Sequence, residues 1–162
     1  MSKKVRSLEH LRTELAARRA RGARIVFTNG CFDLLHVGHI RYLQQARRMG
    51  DLLVVGINSD DSVRRLKGPS RPVQPEQDRA EILAGLECVD YVVSFDQDTP
   101  IAVIERLEPD VLVKGADWPV DRIVGREAVE GSGGRVATIT YVKGISTSAL
   151  IERICGTAAP DT

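Results

Sequence analysis

Two segments of this chain carry residue types that suit chemistry on phosphates. The first is Thr28-Asn29-Gly30-Cys31-Phe32-Asp33-Leu34-Leu35-His36-Val37-Gly38-His39. Its two histidines are three residues apart, so at the start of a helix they project from the same side. A helix start also offers unpaired backbone N–H groups and a partial positive charge. Imidazoles and N–H donors together make an anion site. Gly38, between the histidines, leaves room for a phosphate or a base to come close. The chemistry that fits is phosphoryl-type transfer, in which catalysis is mostly positioning and charge stabilisation. A histidine pair also suits zinc, but the nearest further ligand is Asp33, which is a weak one. The second segment is Ser146-Thr147-Ser148, following Gly144 at the start of a helix. A plain N-cap explains one of these hydroxyls but not the row.

Further charged groups lie between these segments. Lys67 and Arg71 flank a loop with Gly68, Pro69 and Pro72 that could close over phosphates. Arg79 starts a helix turn and could reach bound phosphates, or else pair with Glu76 or Glu81. Cys31 reads as a small packing residue rather than a nucleophile, since nothing near it calls for thiolate chemistry.

The elements that must hold these residues alternate. Val5, Leu8, Leu11 and Leu15 recur at helical spacing, predicting an N-terminal helix over about 3–21. Strands are predicted at 24–29, 52–57, 91–94, 111–113 and 135–141, short apolar runs suited to burial on both faces. Between them fall helices at about 36–49, 60–66, 75–86 and from Pro100 to before Pro109, then a helical pair over 121–130 and a last helix at 149–154. The tail over 156–162 is small and polar and should fray. Alternation of this kind predicts an α/β fold: one domain, a Rossmann-like open parallel sheet with helices on both faces. Such sheets bind ligands beyond the carboxyl ends of the strands, where strand order reverses. The chemistry should therefore sit just after Asn29, Ile57, Ser94, Lys114 and Tyr141.

Composition narrows the classes. The chain has 162 residues, 43% hydrophobic and 28% charged, which fits one globular domain with its core at about 22–155. Its 23 basic and 22 acidic residues leave a net charge of +1, so no whole-molecule field favours nucleic acid or a membrane surface. Three widely spaced cysteines form no disulfide framework. The N-terminus is too charged for a secretory signal, and no apolar run approaches the roughly 20 residues of a membrane span. A cytoplasmic location is expected.

Gly30-Cys31-Phe32-Asp33 followed by His36-Val37-Gly38-His39 resembles the HxGH signature of the cytidylyltransferase-like nucleotidyltransferases. Gly144-Ile145-Ser146-Thr147-Ser148 resembles the second signature of that superfamily, with serine in place of the usual final threonine. Asn58-Ser59-Asp60, Arg65-Leu66-Lys67-Gly68, Arg71-Pro72-Val73, Asp78-Arg79, Val89-Asp90-Tyr91-Val92-Val93, Asp98-Thr99-Pro100 and Pro109-Asp110-Val111-Leu112-Val113-Lys114-Gly115 are similar to heptose-phosphate adenylyltransferases, over about residues 22–155. Those enzymes occur alone or joined to a kinase, and the chain resembles the stand-alone form. Lys114-Gly115-Ala116-Asp117-Trp118 departs from the usual Lys-Gly-Gly-Asp-Tyr. The tryptophan version is shared with glycerol-phosphate cytidylyltransferases.

The resemblance implies transfer of AMP from ATP, accompanied by Mg²⁺, to D-glycero-D-manno-heptose 1-phosphate. The products are ADP-heptose, used in lipopolysaccharide core or related glycan assembly, and pyrophosphate. It implies that the acceptor phosphate attacks the α-phosphorus directly, with His36 and His39 stabilising charge and Lys67 and Arg79 assisting. Thr28, Asn29, Gly30, Cys31, Phe32 and Gly38 would line the nucleotide, with Lys114 and Gly115 beyond a neighbouring strand. Ser146, Thr147 and Ser148 would hold the β- and γ-phosphates. Asp33, Arg71, Asp117 and Trp118 would face the acceptor or the base; Trp118 either stacks on a ring or fills the sheet edge. Mg²⁺ would ride mainly on the triphosphate, with Asp33 a possible outer group. A homodimer is common among such enzymes. A CTP-dependent enzyme acting on glycerol 3-phosphate is the alternative within the class, and a nucleotide sensor without turnover is the alternative outside it.

Overall fold

The computed structural model describes residues 2–157. Among them run α1 (Leu8–Arg19), β1 (Ile25–Gly30), α2 (Val37–Arg47), β2 (Leu52–Asn58), α3 (Asp60–Lys67) and α4 (Glu76–Ala84). They are followed by β3 (Tyr91–Phe95), α5 (Ile101–Leu107), β4 (Val111–Gly115), a 3₁₀ turn (Val120–Arg122), α6 (Arg126–Gly131), β5 (Arg135–Ile139) and α7 (Thr147–Thr157). The strands form one sheet in the order β3-β2-β1-β4-β5, and every pairing is parallel. The predicted α/β architecture is the one observed.

Both faces of the sheet are covered, which is why its strands read as unbroken apolar runs. Val26, Val55, Val92, Val111 and Val113 point to one face, against Tyr42, Leu43 and Ala46 of α2 and Ala80 and Leu83 of α4. Ile25, Phe27, Val54, Val93 and Leu112 point to the other, against Leu11 and Leu15 of α1, Val103, Ile104 and Leu107 of α5 and Val129 of α6. Carboxylates close the lower edge: Asp110 accepts from the Ile25 N–H (2.7 Å) and Asp90 from the Leu53 N–H (2.8 Å).

Three boundaries differ from expectation. The N-terminal helix begins at Leu8, behind the cap Ser7, whose Oγ accepts the His10 N–H at 3.4 Å. Val5 instead bridges to Val92 in parallel, with the Val92 N–H donating to Lys4 O at 2.9 Å and the Arg6 N–H to Val92 O at 3.0 Å. Pairing satisfies backbone groups that the edge of β3 would otherwise leave open. β5 ends at Ile139, so Tyr141 is released from the sheet. The last helix starts earlier, at Thr147, and includes Gly156 and Thr157; the rest of the expected frayed tail, 158–162, lies outside the described residues. No described helix is long and apolar enough to cross a membrane.

Candidate active site

Strand order reverses between β1 and β4, so their carboxyl ends part and open a crevice. Both strands finish in glycine, Gly30 and Gly115, which keeps that edge low. A cleft of about 600 Å³ lies over it, lined from β1 and the turn after it by Asn29 to Phe32, from α2 by His39 and Tyr42, and from β4 by Lys114. The end of α3, the 3₁₀ turn and the start of α7 complete the wall. Another hollow, of about 730 Å³ between α5 and α6, contains neither histidine.

The chain turns from β1 into α2 through Phe32, whose φ of +46° is left-handed for a residue with a side chain. Such a backbone costs on the order of 1 kcal/mol and persists where packing enforces it. Here the ring is buried over Gly30 and lies 5.4 Å from the His39 ring. His36 then caps α2 in extended conformation, and His39 follows one turn on. Their imidazoles stack, with centroids 3.9 Å apart and planes 23° from parallel. The His36 backbone N–H donates to His39 Nδ1 at 3.4 Å. That acceptor role leaves the His39 proton on Nε2. Burial, and then the neighbouring His36, push His39 down to about 4, and burial alone lowers His36. His39 is therefore a neutral donor at pH 7, and it lines the cleft. His36 backs it rather than lining the cleft, with Nδ1 buried. Gly38 serves this stack. A Cβ there would sit 2.9 Å from His36 Cε1 and Nδ1, so the space expected for a phosphate or base holds the His36 ring instead.

Several residues expected to touch substrate prove to be supports. Thr28 is fully buried; its Oγ1 lies 2.8 Å from the Tyr42 hydroxyl, and both hydroxyls are within reach of Val113 O, at 3.0 and 3.2 Å. Strand alternation turns Thr28 under α2 and Asn29 to the other face. Asp33 is 1% exposed and accepts from Arg71 Nε (2.6 Å) and from the backbone N–H groups of Val73 and Gln74. Burial pushes its carboxyl up, but these donors outweigh burial and hold it below the usual range. It has no oxygen left for a cation, and no group of three or more His, Cys, Asp or Glu able to hold a metal occurs among the described residues. Arg79 does not reach the cleft. Its side chain is sealed in, donating to Cys31 O (2.7 Å), Gln74 O (3.0 Å) and Asp60 Oδ1 (2.8 Å), not to Glu76 or Glu81. Three loops converge on that one guanidinium.

The rest of the expected set meets at the cleft. Lys67, Arg71, Cys31 and Trp118 line it. Burial raises the Cys31 thiol, in keeping with a packing role. Lys114 Nζ donates to Asn29 Oδ1, has no carboxylate partner among the described residues, and is pushed by burial down to about 8. Asp117 and Gly115 lie beside the cleft rather than in its lining. A Cβ on Gly115 would meet Tyr141 Cε2 at 2.0 Å and Asp117 Oδ1 at 2.5 Å. The row at α7 divides its work: Ser146 Oγ accepts the Ala149 N–H (3.1 Å), and Thr147 Oγ1 donates to Leu34 O (3.1 Å). Neither task occupies Ser148, which lines the cleft. The Thr147 bond also joins the two signature segments directly. Asn58, Tyr42, Arg122 and Tyr141, none of them expected from the sequence to touch substrate, also line the cleft. Asn58 ends β2, one residue past a position already marked as a strand end. Tyr141 had been marked as a strand end but not as a ligand, and Tyr42 left no local signal, because only the fold stacks the two rings, at 5.3 Å.

A family model described as cytidylyltransferase-like matches residues 27–153. The chain is 61% identical over 151 residues to "Bifunctional protein HldE" of Syntrophotalea carbinolica and 59% identical to the protein of that name from Citrifermentans bemidjiense. Each match covers 93% of this chain and 31% of the relative, so the chain spans about a third of the length of these curated relatives. Among solved structures, the lipopolysaccharide core biosynthesis protein from Thermoplasma volcanium superposes with a TM-score of 0.62 at 28% identity, covering 76% of this chain and all of that one.

Proposed function

The chain belongs to the cytidylyltransferase-like family of nucleotidyltransferases, and on that footing we propose that it transfers AMP from ATP to D-glycero-D-manno-heptose 1-phosphate. The products are ADP-heptose and pyrophosphate, serving lipopolysaccharide core or related glycan assembly in the cytoplasm. The observation that carries this reading is His39: a neutral Nε2–H donor at the N-terminus of α2, in one cleft with the N-terminus of α7.

A phosphate monoester is already nucleophilic at neutral pH, so no strong general base is required. What the chain must supply is alignment and stabilisation of charge as the acceptor oxygen bonds to the α-phosphorus and pyrophosphate leaves. His39 donates to the oxygens that gain charge between the α- and β-phosphates. His36 fixes its tautomer and tilt. The α7 N-terminus and Ser148 hold the β- and γ-phosphates through N–H groups and a hydroxyl. Lys114, Lys67 and Arg71 add cations around the two substrates. Magnesium bound with the nucleotide would neutralise part of the triphosphate charge.

The test is pyrophosphate release by purified protein in a two-by-two panel of ATP or CTP with heptose 1-phosphate or glycerol 3-phosphate. Release with ATP and the heptose phosphate supports the reading. Release only with CTP and glycerol phosphate overturns the substrates while keeping the reaction class, and nucleotide binding without release under any pair returns the sensor reading.

A further inference from the structure

We propose that Tyr141 is the stacking surface for the adenine ring, and so a determinant of purine over pyrimidine nucleotides; this rests on the reading of the cleft as an ATP site. Tyr141 sits where β5 has ended, five residues ahead of Ser146, on the connection that leads into the α7 N-terminus. Its ring lines the same cleft as His39 and Ser148. The aromatic ring nearest in sequence to the α7 N-terminus is therefore also inside the cleft.

Its placement is enforced from behind. One neighbour is the Tyr42 ring, 5.3 Å away and 22° from parallel. Tyr42 is itself anchored, buried, with its hydroxyl beside Thr28 Oγ1 and Val113 O. The other neighbour is the backbone of Gly115, onto which Tyr141 Cε2 leans so closely that a Cβ would lie 2.0 Å away. The ring is thus wedged over the low end of β4 while 44% of the residue stays exposed. An aromatic ring held in place before the ligand arrives loses little freedom when a base stacks on it. Trp118, the other exposed ring at the cleft, has no ring partner among the described residues and is 57% exposed. Base–aromatic stacking strengthens with ring area, so a two-ring base gains more from this surface than a one-ring base.

The experiment is calorimetric titration of ATP, CTP and inorganic tripolyphosphate, each with Mg²⁺ and without acceptor, into wild type, Y141F, Y141L, Y141A and W118A. Folding is checked by thermal melting. The proposal predicts that Y141A and Y141L each lose about tenfold or more in ATP affinity. Y141F should stay within about twofold, because the π-face remains and the hydroxyl is not used. Tripolyphosphate affinity should not change in any variant, which a merely structural role for Tyr141 would not spare. ATP binding unchanged in Y141A, or recovered in Y141L, overturns the stack and leaves the adenylyl-transfer reading standing. Loss in W118A with none in Y141A does the same. Wild-type protein that binds CTP in preference to ATP, or neither nucleotide, overturns both.

Discussion

The His36 backbone N–H points at Nδ1 of His39, 3.4 Å away, beneath two imidazoles stacked at 3.9 Å. The first histidine of the pair therefore decides which nitrogen of the second carries the proton. With Nδ1 accepting, Nε2–H faces the cleft, and burial keeps the ring neutral down to about pH 4. Nitrogen-15 NMR of labelled protein should show His39 as the Nε2–H tautomer throughout pH 5 to 8, with no titration in that range. The linkage sign follows from the depressed value. The unfolded chain takes up this proton near pH 6.5 and the folded one only near 4, so the stabilisation is complete above about pH 6.5 and is lost as pH falls toward 4. Titration of His39 near 6.5 in the folded protein would contradict the assignment.

His39→Ala should lower turnover by a factor of roughly a hundred or more, the cost of one charge-stabilising donor in the transition state. Because the ring is only part-buried, the variant should remain folded. Steady-state rates with saturating substrates check this, and unchanged turnover would remove His39 from the chemistry.

Gly38→Ala separates stability from function at a single methyl group. Alanine favours the helix by about 1 kcal/mol over glycine, yet its Cβ would press on the His36 ring at 2.9 Å. The ring must swing away, and the stack that orients His39 goes with it. Melting temperature should be unchanged or higher, while turnover falls about tenfold or more from misplacement of the donor. A fully active variant would show that the stack is dispensable.

Arg79 is expected to matter through folding rather than contact with substrate. Replacing it by alanine strands Cys31 O, Gln74 O and Asp60, all satisfied by one sealed guanidinium. Loss should be about 3 kcal/mol, in the range for breaking a buried charged pair. Chemical denaturation measures it. Arg79→Lys should recover little, because an ammonium does not reproduce three fixed N–H directions.

These cases show where the sequence could be read and where it could not. The parallel sheet, the helix that starts behind His36 and the approach of the two signature segments were legible, because they depend on periodicity and on residues that start helices. The fate of individual polar side chains was not. Asp33 and Arg79 look like substrate ligands in a linear reading, since a carboxylate or guanidinium beside a motif looks free until the fold supplies its partners. Here those partners lie 40 and 41 residues away for Asp33, at Val73 and Gln74, and 48 away for Arg79, at Cys31. Tyr141 was legible as a strand end but not as a ring in the site, because its partners, Tyr42 and Gly115, are brought to it only by strand order.

The most direct test of the account is phosphorus-31 NMR of purified protein incubated with ATP, Mg²⁺ and heptose 1-phosphate. The account predicts that the ATP resonances give way to two coupled doublets of a new diphosphate diester and a pyrophosphate singlet in equal molar amounts. ATP left intact beside unchanged heptose 1-phosphate, or its conversion to ADP and phosphate, would contradict it.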